Sequence, residues 1–158
     1  MKGRKKSGIS PVVATVILVA VAIVIAIAVA FWASGLVGVF TRFEKLEIVS
    51  AIMTDATTFQ VVIRNTGSAD SAIIQVVVQG KAVGTLATPY QLRVGEAAKC
   101  TVTVSQSPPP GITVELAFYS SGGKTYPTAV LATLGTGSAP WNPTVDPPSC
   151  VPAGGGGS

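Results

Sequence analysis

The sequence predicts an α+β protein in which one long N-terminal apolar helix precedes an all-β sandwich. The first observation behind this class is a nearly uninterrupted apolar stretch from Ile9 to Phe40. Within residues 12–33, only Thr15 and Trp32 carry a side-chain polar atom. The second observation is the change after Phe40, where short segments rich in Val, Ile and Thr alternate with turn residues.

The apolar stretch has the length and composition of a membrane-spanning helix, because it runs well past 18 residues without a charge. The first charges after the leader lie at residues 42–47, so we expect the helix to cover residues 9–44. Such a helix reaches about 50 Å, whereas the hydrocarbon of a bilayer is about 30 Å thick. Something other than lipid would have to cover the surplus.

Small residues recur at every fourth position of the predicted helix. This spacing places them along one side and predicts a ridge that a second helix can approach closely. The opposite side carries mostly Val, Ile and Leu. A single-pass membrane anchor remains the alternative reading of the same stretch. The ridge consists of Ala22, Ala26, Ala30, Ser34 and Gly38.

The net charge of +4 comes entirely from the first eight residues, which form a basic leader. After Gly8 the seven cations equal the seven carboxylates, and no basic patch with interleaved aromatic residues predicts a dedicated nucleic-acid role. Cations directly before an apolar run hold the N-terminus in the cytoplasm and place the later residues outside. An ordinary cleaved secretory signal is disfavoured, despite Ala28-Val29-Ala30, because its apolar region would span only about 7 to 15 residues.

The N-terminus resembles that of archaeal type IV pilins, in the wider pilin and archaellin superfamily. The resemblance lies in Lys5-Lys6-Ser7-Gly8 followed by Ile9-Ser10-Pro11-Val12-Val13-Ala14-Thr15-Val16-Ile17-Leu18. It implies that residues 1–8 are a class III signal peptide, which a prepilin peptidase removes between Gly8 and Ile9. It also implies a membrane assembly platform and an ATPase. Bacterial type IV pilins usually have glutamate where this chain has Val13, so the resemblance is to the archaeal branch.

Residues 45–134 read as a β-sandwich headpiece, because short segments of strand-forming residues follow one another between turn residues. The Asn65-Thr66-Gly67 corner is similar to a turn of immunoglobulin-like domains in archaeal surface proteins, and we therefore expect an immunoglobulin-like sandwich. The predicted strands are Leu46–Thr54, Thr58–Asn65, Ile73–Gln79, Lys81–Leu86, Gln91–Val94, Lys99–Ser105, Ile112–Tyr119 and Lys124–Leu134.

The tail, residues 135–158, is rich in Gly, Pro and Ser and is not expected to add a strand. Trp141 and Val145 are candidates for docking it onto the sandwich. Cys100 and Cys150 lie in the part expected outside the cell, where an oxidising compartment favours a disulfide between them. That bridge would hold the tail.

Catalysis has little basis in this sequence, so we expect no enzyme, no cofactor and no metal. The chain has no His, its carboxylates are scattered, and Asp70 and Glu96 lie at turns. The favoured function is the structural subunit of an extracellular adhesion filament, a helical polymer of this chain that contacts surfaces or other cells. The subunit would wait in the cytoplasmic membrane before assembly. The alternatives are a membrane-anchored surface β-domain that binds a partner, and the archaellin of a swimming filament.

Overall fold

The computed structural model describes residues 9–35 and 42–154. The chain divides into two compact units, Met1–Arg42 and Phe43–Ser158. The first unit contains a helix, and the second contains all the strands found in the described residues. The fold class predicted from the sequence is confirmed: one apolar helix is followed by two antiparallel sheets that form a sandwich.

Helix α1 spans Ile9–Ala33, which gives 25 residues and a length of about 37 Å. Gly35 has a left-handed φ of 71°, the usual conformation just past a helix end. The Ser34 N–H still donates to the Ala30 carbonyl at 2.9 Å, and the Gly35 N–H donates to the Trp32 carbonyl at 3.3 Å. The predicted helix over residues 9–44 was therefore wrong at its C-terminal end, and residues 42–45 have no regular secondary structure.

The headpiece is an immunoglobulin-like sandwich of two four-stranded sheets. One sheet has the order β1-β2-β5-β8 and the other β4-β3-β6-β7. In immunoglobulin lettering these are strands A, B and E, with β8 beside E, facing strands C′, C, F and G. The strands are β1 Leu46–Asp55, β2 Thr58–Asn65, β3 Ser71–Val78, β4 Ala82–Leu92, β5 Ala97–Thr103, β6 Thr113–Ser120, β7 Thr125–Leu131 and β8 Ser149–Pro152.

The core lies between the two sheets and follows the alternation of strands with one buried face. In β2, Phe59, Val61 and Ile63 are fully buried while the residues between them are not. In the facing sheet, Leu116 and Phe118 of β6 close the core. Charged residues of the strands, such as Glu47, Arg64 and Glu115, lie on the outer faces and are exposed.

Strand β4 joins two segments that the sequence had suggested as separate strands, Lys81–Leu86 and Gln91–Val94. Thr85 pairs with Gln75 and Tyr90 pairs with Ile73, so the residues between Thr85 and Tyr90 leave the ladder. Leu86 is buried in the core at this irregularity. The apparent break in the pattern is therefore a bulge within one strand.

The tail adds the eighth strand, so the prediction that it would add none was wrong. Strand β8 pairs antiparallel with β5, and the Asp146 N–H donates to the Thr103 carbonyl at 3.0 Å. Val145 forms an isolated bridge with Val104 and packs against the core, as does Trp141. The tail thus runs along the free edge of β5 and hydrogen-bonds its backbone groups.

Candidate assembly helix and its headpiece

Helix α1 is exposed along its described length. Residues Ser10–Ala33, a segment of 24 residues, are long and apolar enough to cross a membrane, and none of them is buried. The large side chains on this helix are between 50% (Val13) and 75% (Trp32) exposed. Because a single helix that is apolar on all sides is not stable in water, another apolar phase must cover it.

The side-chain hydroxyls near the two ends of α1 are satisfied locally. The Thr15 hydroxyl donates to the Pro11 carbonyl at 2.7 Å, and the Ser34 hydroxyl donates to the Phe31 carbonyl at 3.0 Å. Neither hydroxyl requires a partner from another molecule. Trp32 lies at the C-terminal end of the helix, where an indole is well placed for a membrane–water interface. The surface of α1 therefore suits lipid, or an equally apolar protein environment.

The predicted ridge lies only partly within the helix. Ala22, Ala26 and Ala30 lie on one side of α1, and all three are exposed. Ser34 follows in the turn that ends the helix, and Gly38 lies outside the described residues. A shallow groove lined by Thr15, Val19 and Ile23 extends the same side toward the N-terminus. Three small positions therefore remain as a helical packing surface, and that role stays a prediction.

The predicted cleavage site is at the start of the described chain. Ile9 is the first residue of α1, and Gly8 lies outside the described residues. Processing at this bond stays a prediction.

The first residues of the headpiece are bound to the corner after β2. The Thr66 and Gly67 N–H groups donate to the Lys45 carbonyl at 2.9 and 3.0 Å. The Phe43 N–H donates to the Ser68 hydroxyl at 3.0 Å. A Cβ at Gly67 would lie 2.6 Å from both the Lys45 nitrogen and the Phe43 oxygen, so only glycine fits there. This corner therefore fixes where the chain enters the sandwich.

Asn65 holds the same corner from inside, and its side chain is fully buried. Its Nδ2 donates to the carbonyls of Ala69 and Leu92 at 2.9 and 3.0 Å. Its Oδ1 accepts from the Gly67 N–H at 3.0 Å. A buried amide with both ends satisfied specifies one loop conformation. The sequence indicated a turn here but gave no sign of this long-range bond to Leu92.

Glu44 is a second anchor, and sequence reasoning missed it. The Ser71 hydroxyl donates to its Oε1 at 2.6 Å, and the Lys124 Nζ donates to its main-chain carbonyl at 2.7 Å. Gly122 lies so close to the carboxylate that a Cβ there would overlap it. Glu44 thus connects the entry segment to the start of β3 and to the β6–β7 turn. These contacts could not be predicted, because nothing in the sequence around Glu44 indicates which distant residues its carboxylate and carbonyl contact.

Tyr126 of β7 lies beside this anchor. Its buried hydroxyl makes no hydrogen bond with the residues that the structure describes. Burial raises the pKa of the Tyr126 phenol, and the Glu44 carboxylate raises it further. The Leu46 backbone, close to the phenol without meeting hydrogen-bond geometry, lowers the pKa in part. The neutral phenol is therefore the form that the fold favours.

Cys100 and Cys150 are joined by a disulfide that connects β5 to β8. The two residues are directly opposite each other in the strand register, and Cys100 is fully buried. The Ala153 N–H donates to the Ala97 carbonyl at 2.8 Å, beyond the end of β8. Residues 149–153 of the tail are therefore held to the sandwich by a covalent bond and by main-chain hydrogen bonds.

The two carboxylates at turns, Asp70 and Glu96, accept backbone hydrogen bonds. The Val94 N–H donates to Asp70 Oδ1, and the Arg93 N–H donates to Glu96 Oε2, each at 3.0 Å. Both side chains therefore fix the β4–β5 turn. Over residues 9–35 and 42–154, no group of three or more His, Cys, Asp or Glu side chains could hold a metal ion.

Comparison with known proteins gives only distant structural likenesses, of which two are described below. The sequence matches no protein-family model, and no curated protein matches it. The archaellum periplasmic stator protein FlaG from Sulfolobus acidocaldarius has a TM-score of 0.44 and 16% identity, over 55% of this chain and 99% of that one. The archaeal flagellum of Methanospirillum hungatei strain JF1 has a TM-score of 0.44 and 18% identity, over 82% of this chain and 96% of that one. At these scores neither likeness assigns the chain to a family.

Proposed function

We propose that this chain is a structural subunit of an extracellular archaeal adhesion filament and polymerises through its N-terminal helix, as type IV pilins do. The observation that carries the proposal is the exposure of α1. Every described side chain from Ser10 to Ala33 is exposed, and nearly all are apolar. The described core of the headpiece lies between its own two sheets. The helix is therefore free to be covered by lipid first and by other copies afterwards.

The energetics favour a polymer over an isolated subunit in water. Burying on the order of 1,500 Å² of apolar surface at about 0.025 kcal/mol per Å² is worth roughly 40 kcal/mol relative to water. This exceeds the cost of association, about 4 to 15 kcal/mol. The free energy gained on assembly is smaller when the subunit passes directly from membrane to filament, because the helix is then never exposed to water. A membrane platform and an ATPase would drive that transfer.

Processing and location follow from the leader. Four cations before Ile9 hold the N-terminus in the cytoplasm, where a prepilin peptidase would cut after Gly8. The precursor then resides in the cytoplasmic membrane with its headpiece outside, and the product is an extracellular filament that meets surfaces or other cells. No catalytic, cofactor or nucleic-acid role belongs to this proposal.

Two other functions are compatible with an apolar helix followed by a β-sandwich. A membrane-anchored surface domain would keep α1 in lipid and use the sandwich to bind a partner. An archaellin would form a filament that rotates, but the Ile9-Ser10-Pro11-Val12-Val13-Ala14 start is closer to the pilins. Deletion of the gene separates pilin from archaellin, because loss of a pilin reduces attachment to surfaces while swimming continues.

Shearing the cells tests the filament directly. Material released by shear is pelleted at high speed, and the chain is then sought in the pellet and in the membrane fraction. The proposal predicts the chain in the pellet as a high-mass polymer visible by electron microscopy. Recovery of the whole pool from the membrane, with none in the sheared pellet, would leave the anchored surface domain as the function.

A further inference from the structure

A cavity of about 420 Å³ opens on the headpiece between the β3–β4 turn, the residues before β6 and the tail. Its volume lies in the range of about 300 to 1,000 Å³ that small-molecule sites occupy. The residues that bear on its chemistry are Gln79, Lys81, Ile112, Trp141 and Asn142. The lining thus combines an aromatic ring, two amides and a cation.

Trp141 is held in place at this cavity. The half-buried indole donates its Nε1–H to the Gln106 carbonyl at 2.9 Å. Because that polar edge is already occupied, the ring can offer a ligand only its apolar surface. The electron-rich face of an indole attracts the weakly positive C–H groups of a sugar ring.

Gln79 occupies a backbone conformation that its residue type rarely adopts. Its φ is 52°, and it is the only non-glycine residue with positive φ in the described ranges. Asn would suit this position of the β3–β4 turn better, because it tolerates such angles more readily. The longer Gln side chain reaches β6, where its Nε2 donates to the Thr113 carbonyl at 3.1 Å. That bond leaves its Oε1 available to accept from a ligand hydroxyl.

Lys81 gives the cavity its charge. Its side chain is exposed, and it forms no salt bridge with any carboxylate among residues 42–154. The cavity lining itself contains no Asp or Glu. The Asn142 amide, also exposed, adds a donor and an acceptor on the tail side. The cavity is therefore suited to a ligand with hydroxyl groups, an apolar ring face and a negative charge.

We propose that this cavity binds an anionic saccharide, a sugar unit that bears a carboxylate, as found in acidic polysaccharides. The indole of Trp141 packs against a sugar ring, the amides of Gln79 and Asn142 bond its hydroxyls, and Lys81 binds the carboxylate. All of these residues lie in the headpiece. The proposal is thus independent of filament formation and would survive its failure.

Two disaccharides that differ at one carbon test the assignment. Cellobiouronic acid carries a carboxylate where cellobiose has a hydroxymethyl group. Isothermal titration of the full chain in detergent micelles, at low salt, should show cellobiouronic acid binding about tenfold more tightly than cellobiose. The Lys81→Gln variant should reduce the affinity for the acid to that for cellobiose. The Trp141→Ala variant should weaken both sugars about tenfold.

Lys99→Gln is the matched control, because Lys99 lies on β5 and does not line the cavity. It should bind both sugars as the wild type does. Lys81 is exposed, so its variant should fold normally even if Trp141→Ala loosens the tail. The absence of heat with either sugar, equal affinity for the two, or wild-type affinity in Lys81→Gln would each overturn the proposal.

Discussion

Cys150 of β8 lies directly opposite Cys100 of β5, and their Cα atoms are 4.1 Å apart. This spacing is near the ~4.5 Å of a non-hydrogen-bonded antiparallel pair, where side chains approach most closely. The disulfide closes a loop with a sequence separation of 50. It therefore joins the tail to the sheet at the point where the strand register already places the two sulfurs together.

Cys150→Ser should loosen the tail while the sandwich stays folded. In the chain-entropy model, loss of a bridge with a separation of 50 lowers the free energy of unfolding by about 4 kcal/mol. Urea titration of the full chain in micelles measures this change, and hydrogen exchange should show faster exchange in Ser149–Pro152 than in β2. Reduction of the wild type should reproduce both effects. Recovery of both cysteines as free thiols from extracellular material would contradict the account of the tail.

Asn65→Ala should destabilise the headpiece through its entry corner. The change removes two donated hydrogen bonds and one accepted bond at a fully buried side chain. Leaving these partners unsatisfied should cost roughly 2 to 4 kcal/mol in the free energy of unfolding. Asn142→Ala is the matched control, because Asn142 is exposed and should change stability by less than about 0.5 kcal/mol. Equal stability of the two variants would mean that the buried amide does not hold the corner.

Tyr126→Phe should reduce the loss of stability at alkaline pH, while Tyr90, whose pKa is also raised by burial, should still contribute to it. The folded-state pKa of Tyr126 lies above its ordinary value of 10.0. The contribution of Tyr126 to the free energy of unfolding is therefore fully present below pH 10.0. It is lost as the pH rises through the folded-state pKa. At neutral pH the variant should be within about 1 kcal/mol of the wild type, because the hydroxyl makes no hydrogen bond with the described residues.

Thermal unfolding between pH 8 and pH 11 provides the measurement for Tyr126→Phe. Tyr119→Phe keeps Tyr126 and serves as the control, so its stability should fall with pH as in the wild type. A Tyr126→Phe variant whose alkaline loss equals that of the wild type would show that this phenol is not the group responsible.

Gly8→Arg should block processing of the leader. Because the family resemblance places the cut between Gly8 and Ile9, mass measurement of filament material should show a chain that begins at Ile9. The variant should accumulate in the membrane at full length, with no filaments. Gly3→Arg, a matched change within the same leader, should be processed normally. An intact Met1 in assembled filaments would refute the processing step.

The C-terminal end of α1 could not be predicted from hydropathy alone. Hydropathy continues past Ala33 to Phe40, and the prediction followed it to Glu44. The structure ends the helix because Gly35 adopts a left-handed conformation. A small-residue pair at Ser34-Gly35 suits both a packing ridge and a helix end, and hydropathy cannot separate the two.

The strands likewise include some that local sequence predicts and some that it does not. Strand β2 has the bounds that its alternation predicts, because one face is wholly buried. Strand β8 was missed because Ser149–Pro152 is short, follows two prolines, ends in a third and shows no alternation. Its existence depends on the distant edge of β5, which local sequence does not encode. The contacts of Glu44 with Ser71 and Lys124 are likewise long-range, as is the bond from Asn65 to Leu92. Of these features, only the turn that follows Asn65 was predictable from neighbouring residues.

If α1 is an assembly element, Ala26→Leu should weaken or abolish the filament. Ala26 lies in the small-residue ridge of α1, where a neighbouring helix should approach too closely to accommodate leucine. Overpacking should cost about 1 to 3 kcal/mol per contact, repeated at every subunit. Lipid would accept the change, since leucine makes the segment more apolar. Ala28→Leu is the matched control, because Ala28 lies about 200° around the helix, on the side of the larger residues.

The decisive measurement is the thermal melting of sheared filaments, compared at equal membrane levels of wild type, Ala26→Leu, Ala30→Leu, the double variant and Ala28→Leu. All of these variants should insert normally into the membrane. The ridge variants should give filaments that are absent, shortened or lower-melting, and Ala28→Leu should have a clearly smaller effect. Wild-type filament number and melting temperature in Ala26→Leu, Ala30→Leu and the double variant would contradict the claim that this face of α1 packs against other copies.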